Sequence, residues 1–388
     1  MTKRKLDVKQ IVIFGSFSGR NKGDLAILRS MLTQLRNNRK HLTVHLFSKD
    51  PSKLREYLRD IILDNQSANS IHLKVHVSLT GYIGLETVPV LAKCDRVIIG
   101  GGGLFFDTKL LNPFFSHVLN LFFITALIRL LYKPTLLFAV GCSHLSSKLS
   151  RVLTRFIINS AQIITVRDKS SKSELSCLTN KNILTVVDPA FSLSPFESAR
   201  AKDIVDRWPE GKKILLALHR YMFAKFRIPD SATVLEQFLY SVHQFSRQNG
   251  YSILTYENRT EQTFAYKIAK LYGKSARTML EGENLLLPEE LIYLFSKFDF
   301  VVATQMHVGI FAYLADVPLM SLIYDDKVEE FNKQIGNRNY LYIAEMGNNL
   351  KVAEVLSAVA ASKATSRDKS IQADSKEQAE LLNEFVWS

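Results

Sequence analysis

His307 stands between a short apolar strand and an apolar helix, in the stretch Phe300 to Gly336, FVVATQMHVGIFAYLADVPLMSLIYDDKVEEFNKQIG. A histidine at such a junction can face a ligand, because open α/β sheets bind ligands at strand carboxyl ends and helix N-termini. An imidazole can donate or accept a proton, which suits such a residue to acid–base chemistry. Other residues occupy similar positions. Asp107 follows the run Gly100-Gly101-Gly102-Gly103, where its carboxylate can hold or deprotonate a hydroxyl. Glycine runs of this kind mark places where something approaches the backbone closely, here at Gly101 and Gly102. His144 follows the glycine turn at Gly141, and Arg167 and Arg220 each follow an apolar run. Guanidinium groups there are suited to bidentate contact with phosphate or carboxylate. Lys327 follows the strand Leu319–Tyr324 and can complete an anion pocket.

Each of these has a plainer reading. Most lone histidines are structural or exposed, and His41, His45, His72 and His76 fall in strands or surface helices. Arg167 can pair with Asp168 or another neighbour, Asp107 can be a solvated cap, and Lys327 can decorate a helix. The loop from Gly15 to Asp24 has glycines at 15, 19 and 23, which is neither GxGxxG nor a Walker motif. It can present backbone N–H groups and Asn21 to a sugar or phosphate, or be a turn in which Asp24 caps the next helix.

The elements needed to position these residues alternate along the chain. Lys9–Phe14 reads as a buried parallel strand, followed by a helix with Ile27, Leu28, Met31, Leu32 and Leu35 at helical spacing. Strands are expected at Thr43–Phe47, Ile71–Val77, Arg96–Ile99, Thr135–Val140, Ile163–Val166 and Leu184–Val187. Helices are expected at Ser52–Leu63, Phe114–Tyr132 and Lys148–Ser160, and after Arg167-Asp168 with Ser170 or Ser171 near the cap. The alternation restarts with strand Lys213–Leu218, helix Ala232–Arg247, strand Tyr251–Tyr256, helix Thr260–Tyr272 and helix Glu289–Lys297 opened by Pro288. The chain divides into a Rossmann-like domain over 8–195, a linker over 196–212, and a second Rossmann-like domain over 213–348. Residues 349–388 form a C-terminal helix and tail: helix Leu350–Ala361, a mobile Ser362–Ser375, and a short helix Lys376–Phe385. The expected fold is α/β, two Rossmann-like domains facing a central cleft.

The totals narrow the function classes. The 388 residues carry a formal charge of +13, which favours anionic partners. No basic arm, zinc-finger or RRM pattern supports nucleic acid. Three widely spaced cysteines, Cys94, Cys142 and Cys177, argue against a disulfide framework or structural zinc and fit a reducing cytosol. No HExxH or other ligand spacing points to a metal. The N-terminus lacks the apolar core of a signal peptide. Pro113–Val140 is interrupted by Arg129, Lys133 and Pro134, so it reads as a buried helix, with peripheral membrane contact still open.

Taken together, FGSFSGRNKGDLAILRSML, VIIGGGGLFFD, FAVGCSHLS, ITVRDKSS, VVDPAFSL and HVGIFAYLADVPLMSLIYDDKVEEF resemble the polysaccharide pyruvyl transferase family, in the family's order. The resemblance implies a GT-B-like pair of domains, the first on the acceptor side and the second on the donor side. It implies transfer of pyruvyl from phosphoenolpyruvate to two hydroxyls of a sugar, forming a ketal, with no cofactor. Matching positions give His307 as the catalytic histidine, with Asp107, His144 and Arg167 lining the cleft. Asn21, Asp24, Gly101, Gly102 and Lys327 are further substrate-binding candidates, and Arg220 is added from its strand-end place. Gln305 stands where family members commonly carry arginine. The donor pocket therefore has one charge fewer, which Arg220 or Lys327 compensates unless the donor differs or activity is weakened.

The resulting expectation is that Arg167, Arg220 and Lys327 hold the donor, His307 protonates the enol carbon, and Asp107 orients or deprotonates the sugar hydroxyl. One alternative is a nucleotide-sugar glycosyltransferase of GT-B type. Many of those place a glutamate in the last strand–helix unit, and Thr304 to Tyr324 holds none. The other alternative is a non-catalytic carbohydrate-binding relative. Lipid-linked acceptors and the basic charge would place the protein in the cytoplasm, at the inner face of an anionic membrane.

Overall fold

The structure is a computed structural model that describes residues 9–18, 21–36, 41–63, 71–107, 110–112, 114, 116–219, 231–256, 276–278, 286–364 and 368–388. It contains two compact units. Met1–Ser192 with Ser370–Ser388 form the first, and Leu193–Lys369 form the second.

The first unit begins β1 (Lys9–Phe14), α1 (Lys22–Arg36), β2 (Leu42–Ser48), α2 (Pro51–Tyr57), α3 (Arg59–Leu63), β3 (Ile71–Val77), α4 (Thr87–Lys93) and β4 (Arg96–Phe105). It continues α5 (His117–Leu130), β5 (Thr135–Cys142), α6 (Lys148–Ser160), β6 (Ile163–Val166), α7 (Lys169–Ser176) and β7 (Leu184–Thr185). The strands form one parallel sheet in the order β3-β2-β1-β4-β5-β6-β7. β1, β2 and β5 are buried nearly throughout and mostly apolar, as strands covered on both faces must be. The order reverses between β1 and β4, whose register runs from Ile11↔Arg96 to Phe14↔Ile99. That reversal opens a crevice at the strand ends where ligands of doubly wound sheets bind.

Several local expectations are corrected. Helix Ser52–Leu63 is two helices, because the Leu58 N–H bonds back to Leu54 and Arg55 and closes the first. Helix Phe114–Tyr132 runs from His117 to Leu130, with Ser116 as N-cap accepting from the Leu119 N–H. Asp168, not Ser170 or Ser171, caps α7, its carboxylate accepting from the Ser171 N–H. The strand expected at Leu184–Val187 stops at Thr185. β4 does not end at Ile99. It continues through the glycines and pairs Gly102 with Val140 and Gly103 with Gly141.

The second unit comprises α8 (Ala199–Asp206), β8 (Lys212–Ala217), α9 (Ser231–Asn249), β9 (Tyr251–Thr255), β10 (Ala276–Thr278), α10 (Pro288–Phe295) and β11 (Phe300–Ala303). α11 (Met306–Leu314), β12 (Leu319–Ile323), α12 (Asp326–Gln334), β13 (Tyr340–Tyr342) and α13 (Asn349–Ala361) complete it. Its parallel sheet has the order β10-β9-β8-β11-β12-β13, so the reversal falls between β8 and β11. Helix Thr260–Tyr272 lies outside the described residues.

Two segments expected to be loose are ordered. Residues 196–212 carry α8, capped by Ser198 and tied through Arg200 to the buried Glu290 of α10. Arg200 Nε lies 2.7 Å from Glu290 Oε1 and Nη2 lies 2.5 Å from Oε2, a bidentate geometry. The tail after residue 368 is α14 (Lys369–Trp387), which belongs to the first unit. Leu382, Phe385 and Val386 are buried there, and Lys9 Nζ donates to the Val386 carbonyl at 3.1 Å. Its apolar face supplies the burial that its Ser/Ala/Lys-rich start lacks. No helix among the described residues is long and apolar enough to cross a membrane.

Candidate active site

In the first unit the β1–β4 switch point gathers four of the expected residues. Asn21 caps α1: its side-chain oxygen accepts from the Gly23 N–H at 2.9 Å. Asp24, expected as the cap, lies in the first turn of α1, where a carboxylate favours the helix dipole. Its Oδ1 would be 2.9 Å from a Cβ on Gly102, and Ile27 Cγ2 would be 2.2 Å from a Cβ on Gly101. Both glycines have positive φ, +77° and +90°. Side chains there would push α1 off the strand, so the run exists to let helix and strand backbone meet.

Asp107 is committed to its own loop. Oδ2 accepts from Ser146 N at 2.5 Å, Ser146 Oγ at 2.8 Å and Ser147 N at 2.8 Å, at the start of α6. Burial raises its pKa, but hydrogen bonds from Ser150, Ser147 and Ser146 outweigh that and hold the carboxyl below its usual range. A carboxylate stabilised this way is a weak base. The structure therefore places Asp107 as a cap and tether.

Arg167 is buried. Its Nη1 donates to Asp188 Oδ2 at 2.7 Å, and Nε is 3.9 Å from Asp168. The expectation of an anion-binding cation gives way here to an internal ion pair, because Asp188 neutralises the charge. The Nε–Nη2 edge lies against Gly141, where a Cβ would come within 3.2 Å of Nε. His144 is 79% exposed, with Nδ1 3.3 Å from Glu174, which also holds Arg151 and the Leu145 N–H.

The same unit contains a cavity of about 240 Å³ that sequence reasoning missed. The ends of β1, β2 and β3 and the start of α5 line it, with Phe17, Phe47, Lys49, Tyr82, Phe114 and His117 among its walls. Tyr82 Oη and His117 Nδ1 are 2.5 Å apart. Burial, then Lys49, lowers the His117 pKa to about 4, and burial raises that of Tyr82, so both are neutral at physiological pH. Aromatic walls with a few polar groups, the neutral Tyr82 and His117 beside the charged Lys49 and Asp50, suit a sugar ring. Apart from Phe17, which lies in the loop from Gly15 to Asp24, no motif marks these residues. Their only signal is their place just after strands.

In the second unit, His307 falls at the β8–β11 switch point. Thr304, fully buried, donates its N–H to the Ala217 carbonyl and accepts the His219 N–H on Oγ1 at 2.9 Å. This clamps the ends of the two strands and sets the start of α11. Gln305 is the N-cap of α11, half-buried, and its side chain makes no capping hydrogen bond. His307 follows in the first turn, also half-buried. Lys327 is not a lone cation: its Nζ lies 3.6 Å from Asp325, the N-cap of α12. Arg220 lies outside the described residues.

The polysaccharide pyruvyl transferase family model matches residues 21–326, most of the chain. The chain belongs to the polysaccharide pyruvyl transferase family. The matched span contains the β8–β11 switch point and, from the first unit, β4 and the start of α1 but not β1. No curated protein matches the chain. Among solved structures, a UDP-GlcNAc 2-epimerase from Methanocaldococcus jannaschii superposes with a TM-score of 0.64 at 11% identity, over 98% of this chain and 100% of that one. The Neisseria meningitidis UDP-GlcNAc 2-epimerase bound to UDP-GlcNAc gives a TM-score of 0.57 at 12% identity, over 97% and 100%. HepE from Anabaena in complex with UDP gives 0.58 at 11% identity, over 97% of each chain. These likenesses show a GT-B-type fold built of two Rossmann-like units.

Proposed function

We propose that this member of the family transfers pyruvyl from phosphoenolpyruvate to two hydroxyls of a sugar in a glycan or its precursor, releasing phosphate and leaving a cyclic ketal. The observation that carries the reading is His307 in the first turn of the helix that opens at the β8–β11 switch point, within the family match. Helix N-termini attract phosphate and carboxylate through their N–H groups, and Gln305 leaves its side chain out of that role. This offers the donor a binding element that does not depend on the missing arginine.

In this mechanism His307 delivers a proton to the methylene carbon of the donor, turning it into a methyl group. A sugar hydroxyl adds to the adjacent carbon, the carbon–oxygen bond to phosphate breaks, and a second hydroxyl closes the ring. Of the two hydroxyl protons lost, one replaces that given by His307 and the other leaves with phosphate. Asp107 fixes the loop before α6 rather than serving as base, in keeping with its lowered pKa. The 240 Å³ cavity receives the acceptor's sugar ring. It is smaller than the roughly 300–1,000 Å³ usual for larger ligands, which favours a single ring over a whole nucleotide-sugar. Arg220 and Lys327 remain as donor-side cations in this scheme. The reaction belongs in the cytoplasm, where phosphoenolpyruvate and lipid- or nucleotide-linked precursors are found.

The test is incubation with phosphoenolpyruvate and lipid-linked or nucleotide-linked sugars, following phosphate release and product mass. A product heavier by one pyruvate less one water supports the reading. Tight UDP binding with no phosphoenolpyruvate turnover points instead to a glycosyltransferase.

A further inference from the structure

Between Asp107 and Asp168 the sequence holds no acidic residue and seven Lys or Arg. The structure arranges part of that span as an outer face of the first unit. α5, HVLNLFFITALIRL, is apolar around most of its circumference, the pattern of an enclosed helix. One side is indeed enclosed: Val118, Leu121, Ile124 and Ile128 are buried in the core. On the other side Phe123 is 53% and Leu130 73% exposed. α6 extends this face with Leu149 and Val152, the latter 63% exposed.

These side chains are connected. The Phe123 ring meets Phe122, whose ring centroid is 5.0 Å from that of Phe156 on α6, and Arg129 lies 5.2 Å over Phe156. Arg129, Val152, Arg155 and Lys181 line one open groove. Exposed apolar residues interleaved with cations, and no acid on either helix, make a surface unlike an ordinary solvated helix pair. A second copy of the same face would bring like charges together. An anionic surface would satisfy both features at once, apolar side chains entering the headgroup boundary and cations meeting phosphate.

We propose that the outer face of α5 and α6 docks the protein on an anionic phospholipid bilayer. The inference stands apart from the reaction, since it needs neither donor nor acceptor.

The experiment is co-sedimentation of the full chain with vesicles of equimolar phosphatidylglycerol and phosphatidylcholine, against phosphatidylcholine alone. Binding to the anionic vesicles is expected, weakening with salt. Two variants test the two features: Phe123→Gln with Leu130→Gln, and Arg129→Glu with Arg155→Glu. Each should weaken partitioning by about ten-fold or more while circular dichroism stays native. Because these side chains are exposed, the second pair keeps the test intact should the first fold poorly. Absence of wild-type binding, or binding unchanged in both variants, overturns the proposal. So does sedimentation velocity showing a dimer that the variants dissolve, with no vesicle binding. Phosphate release with a soluble acceptor is read separately and should be the same in all three proteins.

Discussion

The hydroxyl of Thr304 accepts the His219 N–H at 2.9 Å, joining the carboxyl ends of β8 and β11 three residues before His307. Thr304→Val keeps the shape and removes this acceptor from the partly buried His219 N–H. A stability loss of about 1–3 kcal/mol is expected from urea unfolding. Turnover should fall further than stability accounts for, because the start of α11 loses its tether.

Asp107→Ala should destabilise the protein by about 1 kcal/mol, as loss of a helix cap does. The Asp107 pKa is depressed in the folded state. Its contribution is therefore complete above the ordinary carboxylate pKa and lost as pH falls through its lowered value. The difference between wild type and variant, measured by urea unfolding, should be full at neutral pH and shrink in acid. Asp107→Asn should lower kcat by less than the ~10²–10⁴-fold expected of a general base.

The Arg200–Glu290 pair anchors α8 to α10. Arg200→Ala leaves a carboxylate of 1% exposure without its partner. Loss of a fully buried pair costs about 3–5 kcal/mol, and because Arg200 is half exposed, about 1–3 kcal/mol is expected. Burial raises the Glu290 pKa, but bonds from Arg200 and Ser198 bring it below the usual value. Its stabilisation is thus lost as pH falls, and thermal melts of wild type and variant should converge in acid.

Tyr82→Phe removes the hydroxyl beside His117 in the 240 Å³ cavity. If a sugar ring sits there, the KM for acceptor should rise by about 5-fold, the worth of one hydrogen bond, while the KM for phosphoenolpyruvate is unchanged.

The alternation of β1 through β6, and of β8, β9, β11 and β12, was readable because most of these strands are short apolar runs with polar or glycine residues beyond them. α4, β10 and β13 went unseen, since TVPVLAK, ART and YLY are too short for a period to show. α14 was expected only from Lys376 to Phe385, after a mobile stretch, because what holds it comes from far away in sequence, such as Lys9 bonding the Val386 carbonyl. The site divides in the same way. His307, Asn21 and the glycines were legible from strand ends and local spacing. The partners that decide what Asp107, Arg167 and Lys327 can do were not. Asp107 is answered by Ser146 and Ser147, and Arg167 by Asp188, 21 residues on. Lys327 sits on Asp325, a pairing that sequence reading treated only as a helix start.

In the proposed mechanism His307 supplies the proton in pyruvyl transfer. The most direct measurement is phosphate release from phosphoenolpyruvate with a proven acceptor, for wild type and for His307→Ala folded to native stability. Loss of about 10²–10⁴-fold in kcat, with the ketal product of wild type confirmed by mass, is the predicted result. Full turnover by His307→Ala would contradict it.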